Sequence, residues 1–428
     1  GNITAADVLI NGNSRYSDYR YNALFGRLGY NWDGKYFLNL TGRRDGSSRF
    51  GPGKKIANFW AIGGAWIFLQ NPENSFLSFG KFRGSYGTTG NDQIGDYGYL
   101  DSYEATLGPG GLYPTQLANP NYSWEVNHKL EAAIELGLFK DRLDLGISWY
   151  RNRSSNQLVG YPLPDVTGFS SIQANLPATV QNTGLEVVLS SRNIKTNTFS
   201  WDTSLNITIP ENKLVAYPDL EESSYANTYR VGHPLNISLL YQYDGIDPET
   251  SLYTVKDVNE DGRISLDDRS VIQDLGKEVF GGIRNSLRYK NIYLQFLWEF
   301  VKQEGTFHFF HAGELGNQHE QVMQALEENS DFQKISASSS ARTAYSRVLS
   351  TTLPVTDASF FRLKTVNLSY TIPHKAIKIL GLQNGRVFLN GHNLITLTKY
   401  KGLDPDNPQV GMSFSGLRTI SGGLSLNL

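Results

Sequence analysis

Long stretches in which apolar and polar residues strictly alternate recur along this chain, and no other feature constrains its fold as tightly. "RLDLGISWY" puts Leu143, Leu145, Ile147 and Trp149 on one side and Asp144, Gly146, Ser148 and Tyr150 on the other. "KLEAAIELGL" sets Leu130, Ala132, Ile134 and Leu136 against Lys129, Glu131, Ala133 and Glu135. "IYLQFLWEF" sets Ile292, Leu294, Phe296, Trp298 and Phe300 against Tyr293, Gln295 and Glu299, and the chain closes on Leu424, Leu426 and Leu428 against Ser425 and Asn427. A period of two marks strands with one apolar and one polar face. Strands of soluble proteins usually run about five or six residues. These runs are longer, close to the roughly ten residues that carry a tilted strand across a bilayer.

The connections add direction. "NWDGKY", "QNPENS", "FKDR", "NIKTNT" and "RYKNIY" are short, whereas 90–121, 153–179, 209–280 and 303–356 are long. Short turns at one end and long loops at the other are the signature of a transmembrane β-barrel. The pattern predicts about thirteen strands, near 22–32, 35–46, 59–69, 76–88, 123–138, 141–152, 181–193, 198–208, 281–290, 292–303, 358–372, 385–398 and 419–428. In 358–372 the phase slips, because Arg362 and Lys364 share it with Val366 and Leu368, which predicts a bulge. An odd count puts the two termini on opposite sides. Single-chain bacterial barrels have even counts, so the chain reads as the later part of a larger barrel. Tyr30, Trp32, Tyr36, Tyr289 and Tyr293 at strand ends fit an interfacial aromatic girdle.

Composition agrees. A chain of 428 residues would ordinarily divide into two or three domains, yet no linker splits this one. Only 39% of residues are apolar and 19% charged, with 42 Gly, 24 Tyr and 22 Phe, which suits one large sheet with two unlike faces. A formal charge of −2 gives no nucleic-acid footprint. The absence of cysteine removes disulfides, thiolate metal sites and cysteine nucleophiles. No run of 18 apolar residues offers a transmembrane helix. The start, "GNITAADVLINGNSRYSDYR", lacks the basic and apolar regions of a signal peptide and reads as a processed or truncated beginning.

One segment departs from the pattern. "DVNEDGRISLDD", residues 257–268, follows the spacing of a calcium loop, with oxygen ligands at positions 1, 3, 5, 7, 9 and 12 and glycine at 6. Asp257, Asn259, Asp261, the Arg263 carbonyl, Ser265 (directly or through water) and Asp268 fill those positions, and Gly262 sits at the turn. Position 12 is Asp rather than the usual Glu, and the upstream "SLYTVK" is strand-like, so this is not a helix–loop–helix hand. The expected ion is Ca²⁺ in a structural role. The alternative is an acidic turn partly neutralised by Arg263 and Arg269.

"RRDGSSRF" (43–50) reads as a turn-and-loop packing motif around Asp45–Gly46, with a ligand rim as the alternative. His308, His311 and His319 do not have helical zinc-site spacing. Neither a G-x-S-x-G elbow nor a P-loop occurs, and no enzyme is expected; a barrel hydrolase would need a Ser–His pair across strands. Tyr97, Tyr99, Tyr103, Tyr113, Tyr122, Phe307, Phe309 and Phe310 lie in long loops, suited to loop packing or to stacking on sugar rings and holding peptides. "QHEQVMQALEEN" is a helix-like surface piece.

Five stretches, in order, carry a family likeness: "FGRLGYNWDGKYFLNLTGRRDGSSRFGPG" (25–53), "KFRGSYGTTGNDQIGDY" (81–97), "LPDVTGFSSIQANLPATVQNTGLEVVL" (163–189), "DASFFRLKTVNLSYTIP" (357–373) and "NGHNLITLTKYKGLDPD" (390–406). The chain resembles the SusC/RagA family of TonB-dependent outer-membrane transporters of Bacteroidota. The resemblance implies an all-β, antiparallel barrel of 22 strands, of which these thirteen would be the C-terminal ones. The plug, the TonB-contacting segment and the earlier strands would lie outside this chain. It further implies uptake of oligosaccharides or peptides with a SusD-like surface lipoprotein, in a membrane of lipid and lipopolysaccharide. Glu131, Glu135, Glu186, Gln295 and Glu299 would then line the lumen or hold the plug. A departure is Leu428, where such barrels commonly end on an aromatic residue. The competing expectation is a SusC-like barrel kept as a structural subunit of an envelope assembly.

Overall fold

The computed structural model describes residues 16–71, 73, 76–105, 110–307, 314–317, 332–408 and 416–427. His308, Phe309, Phe310, His311, His319, "QHEQVMQALEEN" and Leu428 lie outside the described residues. The strands are β1 (Tyr21–Trp32), β2 (Tyr36–Ser47), β3 (Ile56–Gln70), β4 (Leu77–Asn91), β5 (Ser102–Ala105), β6 (Leu112–Gln116), β7 (Glu125–Leu138), β8 (Leu143–Pro162), β9 (Ser171–Lys195), β10 (Phe199–Ala216), β11 (Ile237–Leu240), β12 (Tyr243–Ile246), β13 (Tyr253–Val255), β14 (Val271–Asp274), β15 (Lys277–Tyr289), β16 (Ile292–Thr306), β17 (Val355–Asp357), β18 (Phe360–Thr371), β19 (Asn384–Thr398) and β20 (Thr419–Asn427). Among the described residues two α-helices join them, α1 (Ser339–Val348) and α2 (His374–Ile377).

Thirteen strands form one antiparallel path, β1-β2-β3-β4-β7-β8-β9-β10-β15-β16-β18-β19-β20, with β17 added beside β16. The count matches the alternation pattern. Tight turns such as 33–35 and 290–291 leave no room for a crossover, and the long insertions between β4 and β7, β10 and β15, and β16 and β18 also return the chain to the adjacent position in the sheet. β1 and β20 are the sheet's edges and do not pair with one another among the described residues.

Register separates the faces. Leu136, Leu145, Leu189 and Leu205 stand in one row across β7–β10, and Ile134, Ile147, Val187 and Ile207 in the next. These rows form the lipid face of the wall. Its exposed apolar residues, including Leu28, Trp60, Ile62, Trp66, Trp149 and Leu389, are the expected complement of hydrocarbon. The anticipated bulge is real. Pairing slips between Leu363 and Thr365, so Lys364 is the extra residue, and Leu363 and Val366 both face outward with Trp298 and Phe296.

Three expectations change. The stretch 153–179 is mostly not loop: β8 runs to Pro162 and β9 begins at Ser171, closed by a turn over 163–170. Beyond the membrane both faces of a hairpin are wet, so alternation fades although backbone pairing continues. Asp45 and Gly46 stay inside β2, and the turn falls later, at 48–55. Tyr293 is not a girdle residue. It pairs with Arg288 and its hydroxyl reaches Ser286 Oγ at 3.5 Å on the inner face. Tyr30, Trp32, Tyr36 and Tyr289 do project outward, exposed, and the Tyr36 and Trp66 rings stack 6.3 Å apart.

The buried cores lie at the long-loop rim. Phe50, Phe59, Tyr122 and Trp124 knot the 48–55 turn to the 92–124 loop, and the Trp124 indole donates to the Lys55 carbonyl at 3.1 Å. Burial pushes the Tyr122 hydroxyl up to about 12. Tyr253, Tyr345 and Val348 form a second knot, with Phe332 and Leu315 packed on it. It joins the two longest loops: α1 packs on β13, and Lys334 N–H donates to the Ser251 carbonyl at 2.8 Å.

Candidate functional site: the inner wall and the loop cap

The inner face is polar because every second residue of each wall strand must point away from lipid. It is charge-paired in two clusters, while Lys129 and Arg284 on the same face form no ion pair among the described residues. Lys81 and Arg83 on β4 face Glu131 and Glu135 on β7, a placement fixed by the pairs Lys81↔Glu135 and Ser85↔Glu131. Lys81 Nζ and Arg83 Nε each lie 3.0 Å from Glu135, and Arg83 also grips Glu131. A groove of about 590 Å³ continues from this cluster, lined by Ser85, Glu131, Ser148, Tyr150, Asn182 and Glu186 among others. Tyr150 lies flat over Gly184 on β9, where a Cβ would fall 2.6 Å from its hydroxyl. Only glycine leaves that space.

A second charged cluster closes the wall near the rim. Arg362 on β18 bonds Asp404 at 2.5 Å, with side-chain exposures of 6% and 4%, and its Nε donates to Thr396 at 3.0 Å. Lys364 reaches Glu299 at 2.9 Å, and Asp406 approaches Arg362 and Lys277. Burial alone would raise the Asp404 carboxyl. Hydrogen bonds from Asp406 N–H, Arg362 and Gly416 N–H outweigh it and leave Asp404 below the ordinary carboxylate range. Glu131, Glu135, Glu299 and Gln295 therefore do stand on the inner face, as the alternation required. Sequence reasoning missed the partners: Lys81, Arg83, Lys364 and the Arg362–Asp404 pair. The inward phase of "KFR" against "KLEAAIELGL" was the available signal for the first two.

The loop 257–268 sits on the second knot, between β13 and β14. Asp257 Oδ2 accepts from Gly262 N–H at 2.8 Å, Asn259 Oδ1 from Asp261 N–H at 3.1 Å and Asp261 Oδ1 from Arg263 N–H at 2.7 Å. Gly262 takes φ +79°, which the turn needs and other residues resist. Asp268 is fully buried and accepts from Val258 and Ser265 N–H, at 2.9 and 2.8 Å. Those hydrogen bonds, Ser265 first, hold its carboxyl below the usual range, aided by Arg347 of α1. Ser265 and Asp268 form a reciprocal capping box on the short 3₁₀ turn Leu266–Asp268. Neither Arg263 nor Arg269 forms an ion pair among the described residues, and Arg269 lies over the Tyr241 ring. Asp257 Oδ1 is buried without a hydrogen-bond partner. Among the described residues no three His, Asp or Glu side chains converge as a finished metal cage.

Elsewhere the rim uses its polar residues for packing. Arg43 bonds Asp45 at 2.7 Å and Tyr21, and Arg49 bonds Asp96 at 2.9 Å. Tyr97 hydroxyl accepts from Asp18 N–H at 2.8 Å, Tyr99 packs on the first knot, and Phe307 meets the Tyr400 ring. The hairpin β5–β6 stands free, with Tyr103, Leu112 and Tyr113 exposed.

Comparison with known proteins gives the following. The family model "TonB dependent receptor-like, beta-barrel" matches residues 1–394. TonB-dependent receptor P3 of Formosa agariphila is 28% identical over 99% of the chain and 47% of that protein. TonB-dependent receptor SusC of Bacteroides thetaiotaomicron is 26% identical over 89% of the chain and 41% of that protein. A solved structure of the RagAB peptide importer in the open-open state superposes with TM-score 0.81 at 23% identity, over 98% of this chain and 48% of that one. The chain thus spans about half the length of the relatives it matches.

Proposed function

Since this chain belongs to the TonB-dependent receptor-like β-barrel family, whose SusC-like members are integral outer-membrane proteins, we propose that it forms the pore wall of a nutrient importer for oligosaccharides or peptides. The observation that carries this reading is the division of the wall into an apolar outer face and a charge-paired inner face with a polar groove. A TonB-driven plug would seat against that inner face. A SusD-like lipoprotein would close over the loop end, where the β5–β6 hairpin offers Tyr103, Leu112 and Tyr113. The test is uptake of labelled oligosaccharide and peptide pools by cells carrying or lacking the full-length gene. Uptake that depends on both the gene and TonB is expected. Normal uptake in either deletion overturns the proposal and favours a structural subunit.

We also propose that the 257–268 loop holds Ca²⁺ through Asp257, Asn259, Asp261, the Arg263 carbonyl, Ser265 and Asp268. The buried, unpartnered Asp257 Oδ1 supports this, since an orphaned carboxylate oxygen is costly without a cation or donor. The ion would supply charge neutralisation and stiffness to the cap, and no chemistry. Affinity in the extracellular range, about 10⁻⁴–10⁻³ M, is expected. Terbium luminescence sensitised by nearby tyrosines should titrate in the wild type and vanish in Asp257→Asn. An unchanged titration in that variant overturns the site.

A further inference from the structure

We propose that the outward patch formed by Arg151, Arg153 and Lys213 binds the phosphorylated headgroup of lipopolysaccharide. This rests on the reading above only for orientation, with the long loops outside the cell.

Across β7–β10 the outward rows climb from Ile134, Ile147, Val187 and Ile207 to Ala132, Trp149, Leu185 and Ile209. The next row is Leu130, Arg151, Thr183 and Glu211, and the one above it His128, Arg153, Gln181 and Lys213. The change from apolar to basic is abrupt. From Leu143 to Arg151 the strand advances ~26 Å at ~3.3 Å per residue, or ~20 Å of membrane height at ~40° tilt. Arg151 therefore stands near the top of a band about 25 Å tall, at the depth of the outer leaflet's phosphates.

The pairing of charges is the second observation. On the inner face Lys81, Arg83, Arg362 and Lys364 each meet a carboxylate, whereas Lys129 and Arg284 there meet none among the described residues. What marks the outer patch is therefore its unpaired charge beside the apolar band rather than the lack of a partner alone. On the outer patch the side chains of Arg151 and Lys213 make no hydrogen bond or ion pair among the described residues. Arg153 donates only to the neutral Gln181 Oε1, at 2.6 and 3.2 Å. Glu211, the one acid in the patch, accepts from Thr183 at 3.3 Å. Arg153, Lys213 and His128 are exposed. Three basic groups against one acid, at the edge of an apolar band, leave a net positive site for a doubly charged phosphate. Thr183, Gln181 and Glu211 add hydrogen-bonding groups suited to the sugar that carries it, and the apolar rows below accept its acyl chains.

The test uses full-length protein in detergent, titrated with bis-phosphorylated lipid A, dephosphorylated lipid A and inorganic phosphate. Wild type should prefer the bis-phosphorylated form. The variant Arg151→Ala/Arg153→Ala/Lys213→Ala should bind it on the order of 100-fold more weakly, about fivefold per side chain. A control carrying Lys140→Ala and Lys195→Ala at short turns should bind normally. Equal binding by triple variant and wild type, or equal affinity for dephosphorylated lipid A, overturns the proposal. Competition by inorganic phosphate at matched concentration would make it a free-phosphate site and also overturns it. This chain has no cysteine, so Arg153→Cys in the full-length protein, labelled on intact cells by an impermeant maleimide and compared with the parent protein under the same treatment, reads orientation separately. Labelling with unchanged lipid A binding sinks the patch alone; absence of labelling sinks the orientation on which it rests.

Discussion

Arg83 and Arg151 lie two strands apart in the same sheet, one facing the lumen and the other the membrane, and they are treated differently. Arg83 is held by Glu131, Glu135 and the Ser148 hydroxyl. The Arg151 side chain has no hydrogen-bond or ion-pair partner among the described residues. On the inner wall Lys81, Arg83, Arg362 and Lys364 are matched by carboxylates within the polypeptide, although Lys129 and Arg284 on that face are not among the described residues. The outer wall meets lipid and can leave counter-charge to the membrane. A strand's two faces thus answer to two solvents, and the same residue type is structural on one and available on the other.

The sharpest way to break this comparison is the buried inner pair. Arg362 and Asp404 are both nearly inaccessible, so removing one leaves an uncompensated buried charge. Arg362→Ala in the full-length protein should cost about 3–5 kcal/mol, read as loss of thermal stability and proteolysis within 399–408. The joint replacement Arg362→Leu/Asp404→Leu should cost much less than the sum. An Arg362→Ala variant as stable as wild type would mean that this part of the wall is wet.

Next come the two faces of one strand. Ile147 and Ser148 are neighbours on β8, outward and inward. Ile147→Arg should destabilise the barrel by about 2–4 kcal/mol, as expected for a lipid-facing charge near the midplane. Ser148→Arg should be several-fold milder, since it can reach Glu186. Unfolding from liposomes in denaturant compares them, and equal effects would refute the assignment of faces.

Acid offers a smaller, reversible probe. Asp404 and Asp268 are both held below the ordinary carboxylate value of 3.8. A depressed folded-state value contributes stability above the unfolded one, lost as pH falls through the folded value. The loop cap should therefore hold from neutrality to about pH 4 and loosen below it, as followed by limited proteolysis. Asp404→Asn should flatten that acid step.

How much of this was legible follows from the same two-solvent logic. Where a strand crosses lipid, alternation is enforced residue by residue, so about thirteen strands, their faces and a slip within 358–372 could be read directly, while the register was needed to place that slip at Lys364. Above the membrane that pressure ends, and the extended β8–β9 hairpin and the small sheets β11–β14 and β12–β13 left little pattern. The calcium-type loop was visible because its spacing is local, within twelve positions of 257–268. Arg362 and Asp404 were not matched, because their contact depends on how a loop 42 residues away folds back. Likewise the patch on β8 and β10 needs the register of three strands before Arg153 and Lys213 fall in one row.

The smallest expected effect sharpens the comparison most. Arg83 makes as many bonds to carboxylates as Arg362, yet its side chain is 38% exposed and those of Glu131 and Glu135 are 37% and 38% exposed. Water can therefore screen the cluster and take over a lost partner, and Lys81 still holds Glu135 when Arg83 is gone. Arg83→Met should cost only about 1 kcal/mol or less, the scale of solvated pairs, measured by the same liposome unfolding. A loss near that of Arg362→Ala would show that exposure in the isolated wall overstates the water there, as when a plug fills the groove of the full-length protein. A small loss would show that bond count matters less than burial, and that only the Arg362–Asp404 end of the inner wall behaves as core.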